Sequence, residues 1–125
     1  MGVYIPTIQE RYMRQVADGT YYRNGMPVTQ TSGYAVGLAK GDAFATLSEN
    51  HTLFGFCTIL EDYPKAQCVG VWSEKLGLSM NNRTKIVFDP IVLIEDLSHA
   101  LRLAKRNQQK AIWCFASGKE IFTLL

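Results

Sequence analysis

The chain has 125 residues, of which 47% are hydrophobic and 19% charged, a composition that excludes an intrinsically disordered protein and fits one folded domain. Its 13 basic and 11 acidic residues give a formal charge of +2, which argues against a protein that coats duplex nucleic acid. Since no run approaches the roughly 18 apolar residues of a membrane-spanning helix, we expect a single intracellular domain over residues 1–125.

The first half of the chain predicts a helix followed by two hairpins. Thr7 and Glu10 have the spacing of a capping box, and apolar residues then recur every four positions, which predicts a helix from about Thr7 to Asp18. Asn24-Gly25 predicts a tight hairpin turn. The β-rich runs at residues 33–39 and 42–48 predict a second hairpin.

The second half predicts more strands around one further helix. The apolar runs at residues 53–60, 66–72 and 85–94 are typical of strands, and a helical period predicts a second helix from about Asp96 to Asn107. Two strands around Ser117 end the chain. The expected fold is α+β, an antiparallel sheet of about six or more strands with two helices, one N-terminal and one before the last strands.

The sequence contains no recognisable catalytic or metal-binding pattern. Neither His51 nor His99 has another ligand at a metal-binding spacing, and the chain contains no phosphate-binding glycine loop. The three cysteines are far apart among apolar neighbours, which predicts buried free thiols. A cysteine–histidine pair stays open because such partners meet in space rather than in sequence. We therefore expect no metal, no cofactor, no catalytic residue and no enzymatic activity.

The stretch "SMNNRTKIVFDP", residues 79–90, combines amides, a guanidinium and an aromatic ring. Arginine forks match phosphate oxygens, aromatic rings stack on bases, and amides bond to hydroxyls and base edges. The same residues also have structural interpretations, because the amides suit a turn and most aromatic residues of strands lie in the core. The candidate ligand-binding residues are Arg83, Phe88, Asn81, Asn82, Trp72, Arg23 and Phe115.

The part of the chain that runs from "VGVW" through "IVFDPIVLIEDLSHALRLAKRNQQKAIWCFASGKEI" has the order strand, strand, helix and aromatic strand. It resembles the Thoeris anti-defence proteins of the first type, small phage and prophage proteins that sequester the signal of a bacterial immune system. The resemblance implies a non-enzymatic sponge in the cytoplasm of an infected bacterial host. It also implies a homodimer that encloses a cyclic ADP-ribose isomer between its subunits, or a higher homo-oligomer that also binds cyclic oligonucleotides.

Two other functions compete with a sponge for a small cyclic nucleotide. The arginines and aromatic rings would also suit an anti-CRISPR-like inhibitor that contacts an effector protein. A small nucleotide-acting enzyme is the third interpretation, and the sequence favours it least because no acid–base pair stands out.

Overall fold

The computed structural model describes residues 18–40, 43–48, 51–81 and 83–124, and it has an α+β fold. The predicted N-terminal helix lies outside the described residues, apart from its last position. Seven strands form one sheet with two helices beside it. The strands are β1 (Gly19–Tyr22), β2 (Tyr34–Gly37), β3 (Phe44–Thr46), β4 (Cys68–Lys75), β5 (Thr84–Ile94), β6 (Ala111–Cys114) and β7 (Lys119–Phe122), and the helices are α1 (Thr52–Asp62) and α2 (Leu97–Arg106).

The sheet is antiparallel and has the order β1-β4-β5-β2-β6-β7, with β3 paired to β5 as well. The predicted hairpin between residues 33–39 and 42–48 is therefore wrong in its pairing, although both strands exist. Both pair with one edge of β5, which is eleven residues long: β3 lies beside residues 86–88 and β2 beside residues 91–94. Strand length explains this arrangement, because β5 is long enough for two short neighbours end to end.

Residues 53–60 form helix α1, so the strand predicted there is also wrong. The buried residues of this segment are Thr52, Gly55, Phe56 and Ile59, which follow the i, i+3, i+4 and i+7 spacing of one helical face. The neighbouring Phe54 is 62% exposed. A short continuous apolar run does not distinguish a strand from a helix, and here the helical period decides.

Helix α2 confirms the second predicted helix, and Asp96 caps its start. The Asp96 carboxylate accepts a hydrogen bond from the backbone N–H of His99 at 2.8 Å, which satisfies one of the free donors at the helix start. Lys105 and Arg106 lie in the last turn, where cations complement the helix dipole. In the described parts of the chain, neither helix has the length and apolarity needed to cross a membrane.

Both helices pack on the same face of the sheet. Helix α1 shares a core cluster with Ile86 and Phe88 of β5, and helix α2 shares another with Val92 and Ile94. Since side chains alternate along a strand, the even-numbered residues of β5 all point to the helices. The odd-numbered ones point to the other face, which neither described helix covers. We call this side, with Thr20, Trp72, Asp89 and Trp113, the helix-free face.

Gly55 is a point of close approach between helix α1 and the sheet. A Cβ atom added there would lie 2.6 Å from the ring of Phe88 and 2.9 Å from that of Phe44. The ring of Phe88 has no exposed surface and lies 5.8 Å from the ring of Phe44, centroid to centroid. A larger residue at position 55 would therefore push the helix away from the central strand.

Replacing Gly55 by valine should lower the free energy of unfolding by about 1–3 kcal/mol, the usual cost of adding atoms to a packed core. Gly77→Val is the matched control, because no atom lies within 4 Å of a Cβ built at Gly77 and its backbone is extended. Urea denaturation followed by circular dichroism measures both variants. Equal stability of the two variants would contradict this packing.

Candidate ligand-binding face of the sheet

Trp72 lies on the helix-free face in the middle of the β4–β5 pair. The register places it opposite Val87, and 39% of its surface is exposed. Its indole Nε1 donates a hydrogen bond to Asp89 Oδ2 at 3.1 Å. The carboxylate fixes the orientation of the ring, which gives a preorganised aromatic face of the type on which bases stack in nucleic-acid-binding proteins.

Two cations follow Trp72 along the same hairpin. Lys85 is opposite Glu74, and its Nζ lies 3.6 Å from Glu74 Oε2. The backbone N–H of Leu76 donates to the carbonyl of Arg83 at 2.8 Å, which continues the β4–β5 register by one pair. Alternation then puts Arg83 on the helix-free face, about 13 Å along the strand direction from Trp72.

The connection between β4 and β5 is a turn, as one interpretation of Asn81 predicts. Residues Leu78–Met80 form a 3₁₀ turn, and Asn81 after it has a left-handed backbone with φ of 55°. Asparagine tolerates this conformation better than most residues. Asn81 is exposed at the tip of the hairpin, so its turn role does not prevent a polar contact there. Asn82 lies outside the described residues.

Phe88 lies on the opposite side of the strand from the helix-free face. Its ring is fully buried between Phe44 and helix α1. A ring with no exposed surface offers no face for stacking, and this placement contradicts a ligand-binding role for Phe88. Its aromatic character serves the core, which was the alternative interpretation of this residue.

Arg23 also lies away from Trp72 and Arg83. Its guanidinium donates to the carbonyl of Ala66 at 2.7 Å and to that of Leu60 at 3.3 Å. These bonds tie the turn after β1 to the chain at the end of helix α1. The guanidinium therefore has a structural function in this position, away from Arg83.

Phe115 directly follows β6 and is half-buried on the helix-free face. It packs against Ala35, Cys68 and Ile91. Its backbone N–H donates to the carbonyl of Gly33 at 3.1 Å. Cys68 is four residues before Trp72 on β4, so this cluster is separate from the indole.

Of the seven predicted residues, the structure places Trp72, Arg83 and Phe115 on the helix-free face, Phe115 in a separate cluster, and Asn81 at the hairpin tip. Sequence reasoning missed Asp89 and Lys85, which belong to the same face. The alternation of side chains along β5 could have indicated them, since Asp89 and Lys85 are odd-numbered like Val87 and so point to the same face. The missing information was the register, which pairs Trp72 with Val87 and so puts Asp89 beside the indole.

The thiols give little support for nucleophilic chemistry. Burial raises the pKa of Cys68 to about 11, and burial followed by the Glu61 carboxylate raises the pKa of Cys57. Hydrogen bonds from Ser117 lower the pKa of Cys114, but this residue is buried. None of these shifts comes from a histidine, and the described residues contain no cluster of His, Cys, Asp or Glu side chains suited to a metal ion.

No family model, curated protein or solved structure matches the chain.

The two aromatic candidates on β4 and β5 should differ sharply in their effect on stability. Phe88→Ala should lower the free energy of unfolding by about 3–5 kcal/mol, because it leaves a cavity in the core. Trp72→Ala should cost about 1 kcal/mol, because the indole is partly exposed. Denaturant unfolding of both variants tests this difference. If Trp72→Ala lowered the free energy of unfolding more than Phe88→Ala does, the indole would belong to the core.

Proposed function

We propose that this protein is a non-enzymatic binding protein that sequesters a small cyclic nucleotide immune signal. The ligand class is a cyclic ADP-ribose isomer, with cyclic oligonucleotides as a second class. The protein would act in the cytoplasm of an infected bacterial host, as a homodimer or higher homo-oligomer, and would thereby inhibit anti-phage defence. The sequence resemblance supplies the biological setting, and the helix-free face supplies the physical support.

The oriented indole of Trp72 is the observation that supports this function most. A base stacked on an aromatic side chain contributes about 1–3 kcal/mol of binding free energy. The hydrogen bond to Asp89 holds the ring in the free protein, so less conformational entropy is lost on binding. A preorganised platform of this kind favours the slow release that sequestration requires.

The cations at the hairpin tip would hold the phosphates. Arg83 is exposed, and its guanidinium can form paired hydrogen bonds to phosphate oxygens. Lys85, half-buried beside Glu74, lies between Arg83 and Trp72 on the same face and would contribute positive charge. A ligand with a base at Trp72 would extend its diphosphate along the strand toward Arg83.

An anti-CRISPR-like inhibitor that binds an effector protein is the second candidate function. Large apolar side chains are exposed on the described surface, among them Trp113 and Phe122. Exposed aromatic residues of this size often mark protein–protein contacts. These residues lie on strands β6 and β7, away from Trp72, so the two functions depend on different parts of the sheet.

Capture and release of intact ligand tests the sponge directly. The purified protein is incubated with cyclic ADP-ribose isomers and cyclic di- and trinucleotides, washed, and heated, and the supernatant is analysed by mass spectrometry. We expect unchanged ligand to appear only after the protein is denatured. Chemically altered ligand would indicate an enzyme, and no uptake of any ligand would favour the protein-binding inhibitor.

Substitutions on the helix-free face should weaken this capture without unfolding the protein. Trp72→Ala should raise the dissociation constant about fivefold to 150-fold, the equivalent of the stacking energy of one base, and Arg83→Ala should also weaken binding. Phe54→Ala and Arg102→Ala remove an exposed aromatic ring and an exposed cation from helices α1 and α2, so they are matched controls. Isothermal titration calorimetry measures all four variants, and equal loss in the controls would contradict the assignment of this face.

A further inference from the structure

The edges of the sheet at β1 and at β7 differ in how they are protected. At β1, the backbone N–H of Tyr22 donates to Met26 and that of Val28 donates to Thr20, each at 2.8 Å, so the chain after the turn covers this edge. Pro27, which bridges to Tyr21, cannot donate to a further strand. The described residues provide no such cover for the outer edge of β7.

The backbone of β7 presents hydrogen-bonding groups to this open edge. The N–H of Thr123 donates to the carbonyl of Lys110 at 2.8 Å, so the strand pairing with β6 extends to Thr123. In an antiparallel pair the residues bonded to the neighbour alternate with residues that point away from it. Lys119, Ile121 and Thr123 therefore bond toward β6, while the N–H and C=O groups of Glu120 and Phe122 point outward.

Apolar side chains surround these outward groups. Phe122 is 65% exposed and Leu124 is 89% exposed. The register puts Phe122 opposite Ala111 and Glu120 opposite Trp113, so the exposed rings of Phe122 and Trp113 share the helix-free face. An unpaired edge strand with exposed apolar residues is a template for pairing with another strand.

We propose that β7 pairs with β7 of a second copy of this chain, antiparallel and with the two-fold axis at Ile121. In this register Glu120 of each copy is opposite Phe122 of the other, so all the outward backbone groups of both residues are paired by four hydrogen bonds. Lys119 is opposite Thr123, and no like charges are directly opposite each other. The two sheets become one continuous sheet, with an apolar cluster around both Phe122 rings.

Neighbouring registers are less favourable, which argues for a second copy over an unrelated strand. Moving the axis to Glu120 would put the two Glu120 carboxylates opposite each other. Moving it to Phe122 would require Leu124 to pair with Glu120, but Leu124 has a left-handed backbone with φ of 54° and cannot continue a strand. When Lys119–Thr123 is aligned antiparallel to a second copy of itself, one register is therefore favourable. Such pairing of identical segments is what a two-fold interface requires.

This interface is independent of the proposed ligand and is tested in its absence. Sedimentation velocity over a range of concentrations should show a dimer for the natural sequence. Glu120→Pro removes an outward N–H that the fold does not use, and Phe122→Glu removes the exposed ring and puts a second carboxylate opposite Glu120 of the other copy. Each should raise the dimer dissociation constant at least about tenfold, the equivalent of 1.4 kcal/mol, while Phe54→Glu on helix α1 should leave it unchanged.

A cysteine pair tests the register separately. In the proposed dimer the two Cα atoms of residue 121 are about 4.5 Å apart, within the range of a disulfide, so Ile121→Cys should form a covalent dimer on oxidation. Lys119→Cys should not, because residue 119 is opposite residue 123. A monomer at every concentration, or Glu120→Pro and Phe122→Glu variants that dimerise like the natural protein, would overturn the proposal, whereas a lack of nucleotide binding would not.

Discussion

Helix α1 can lie flat on strand β5 because Gly55 leaves room for the ring of Phe88. A Cβ atom at position 55 would be 2.6 Å from that ring, so the closeness of helix and sheet depends on the missing side chain. Phe88, Phe56 and Ile59 then belong to one core cluster, and none of these three residues is more than 1% exposed. Since β5 is also the longest strand and pairs with β2, β3 and β4, this contact positions most of the sheet.

The same contact decides which side of the sheet carries the polar and aromatic candidates. With Phe88 turned to the helix, alternation turns Val87 and Asp89 to the other side. The β4–β5 register then places Trp72 and Asp89 close enough for the 3.1 Å hydrogen bond between them. An exposed ring, a carboxylate and the hairpin cations thus share one face because of how the core packs on the other. The proposed binding function depends on this division of the sheet into a side covered by the two described helices and the helix-free face.

The sequence predicts well those features that have a local physical cause. Helix α2 has a cap, an apolar period and terminal cations within one short segment, and the structure confirms it with the bond from His99 to Asp96. The strands around Ser117 also form, since Ala111–Cys114 and Lys119–Phe122 are short, β-rich and joined by a tight connection. The α+β class follows from the same local signals.

Features that depend on contacts distant in sequence were not predictable in this way. The run at residues 53–60 is apolar enough for a strand, and its buried helical face becomes visible only where it packs on β5, with Gly55 against Phe88. Whether Phe88 faces a ligand or the core depends on which side of β5 the helix covers. Arg23 has a guanidinium suited to binding phosphate, but this group donates hydrogen bonds to the carbonyls of Leu60 and Ala66. Neither of these residues is near Arg23 in the sequence.

Nuclear magnetic resonance with ¹⁵N-labelled protein tests the location of the ligand most directly. Titration with a cyclic ADP-ribose isomer should shift the indole N–H resonance of Trp72 and the backbone amides of Gly70, Asp89 and Lys85, because all of them lie on the helix-free face. The amides of helix α1 should shift much less. Binding that leaves the Trp72 indole unchanged, or that shifts mainly the residues of the helices, would contradict the account.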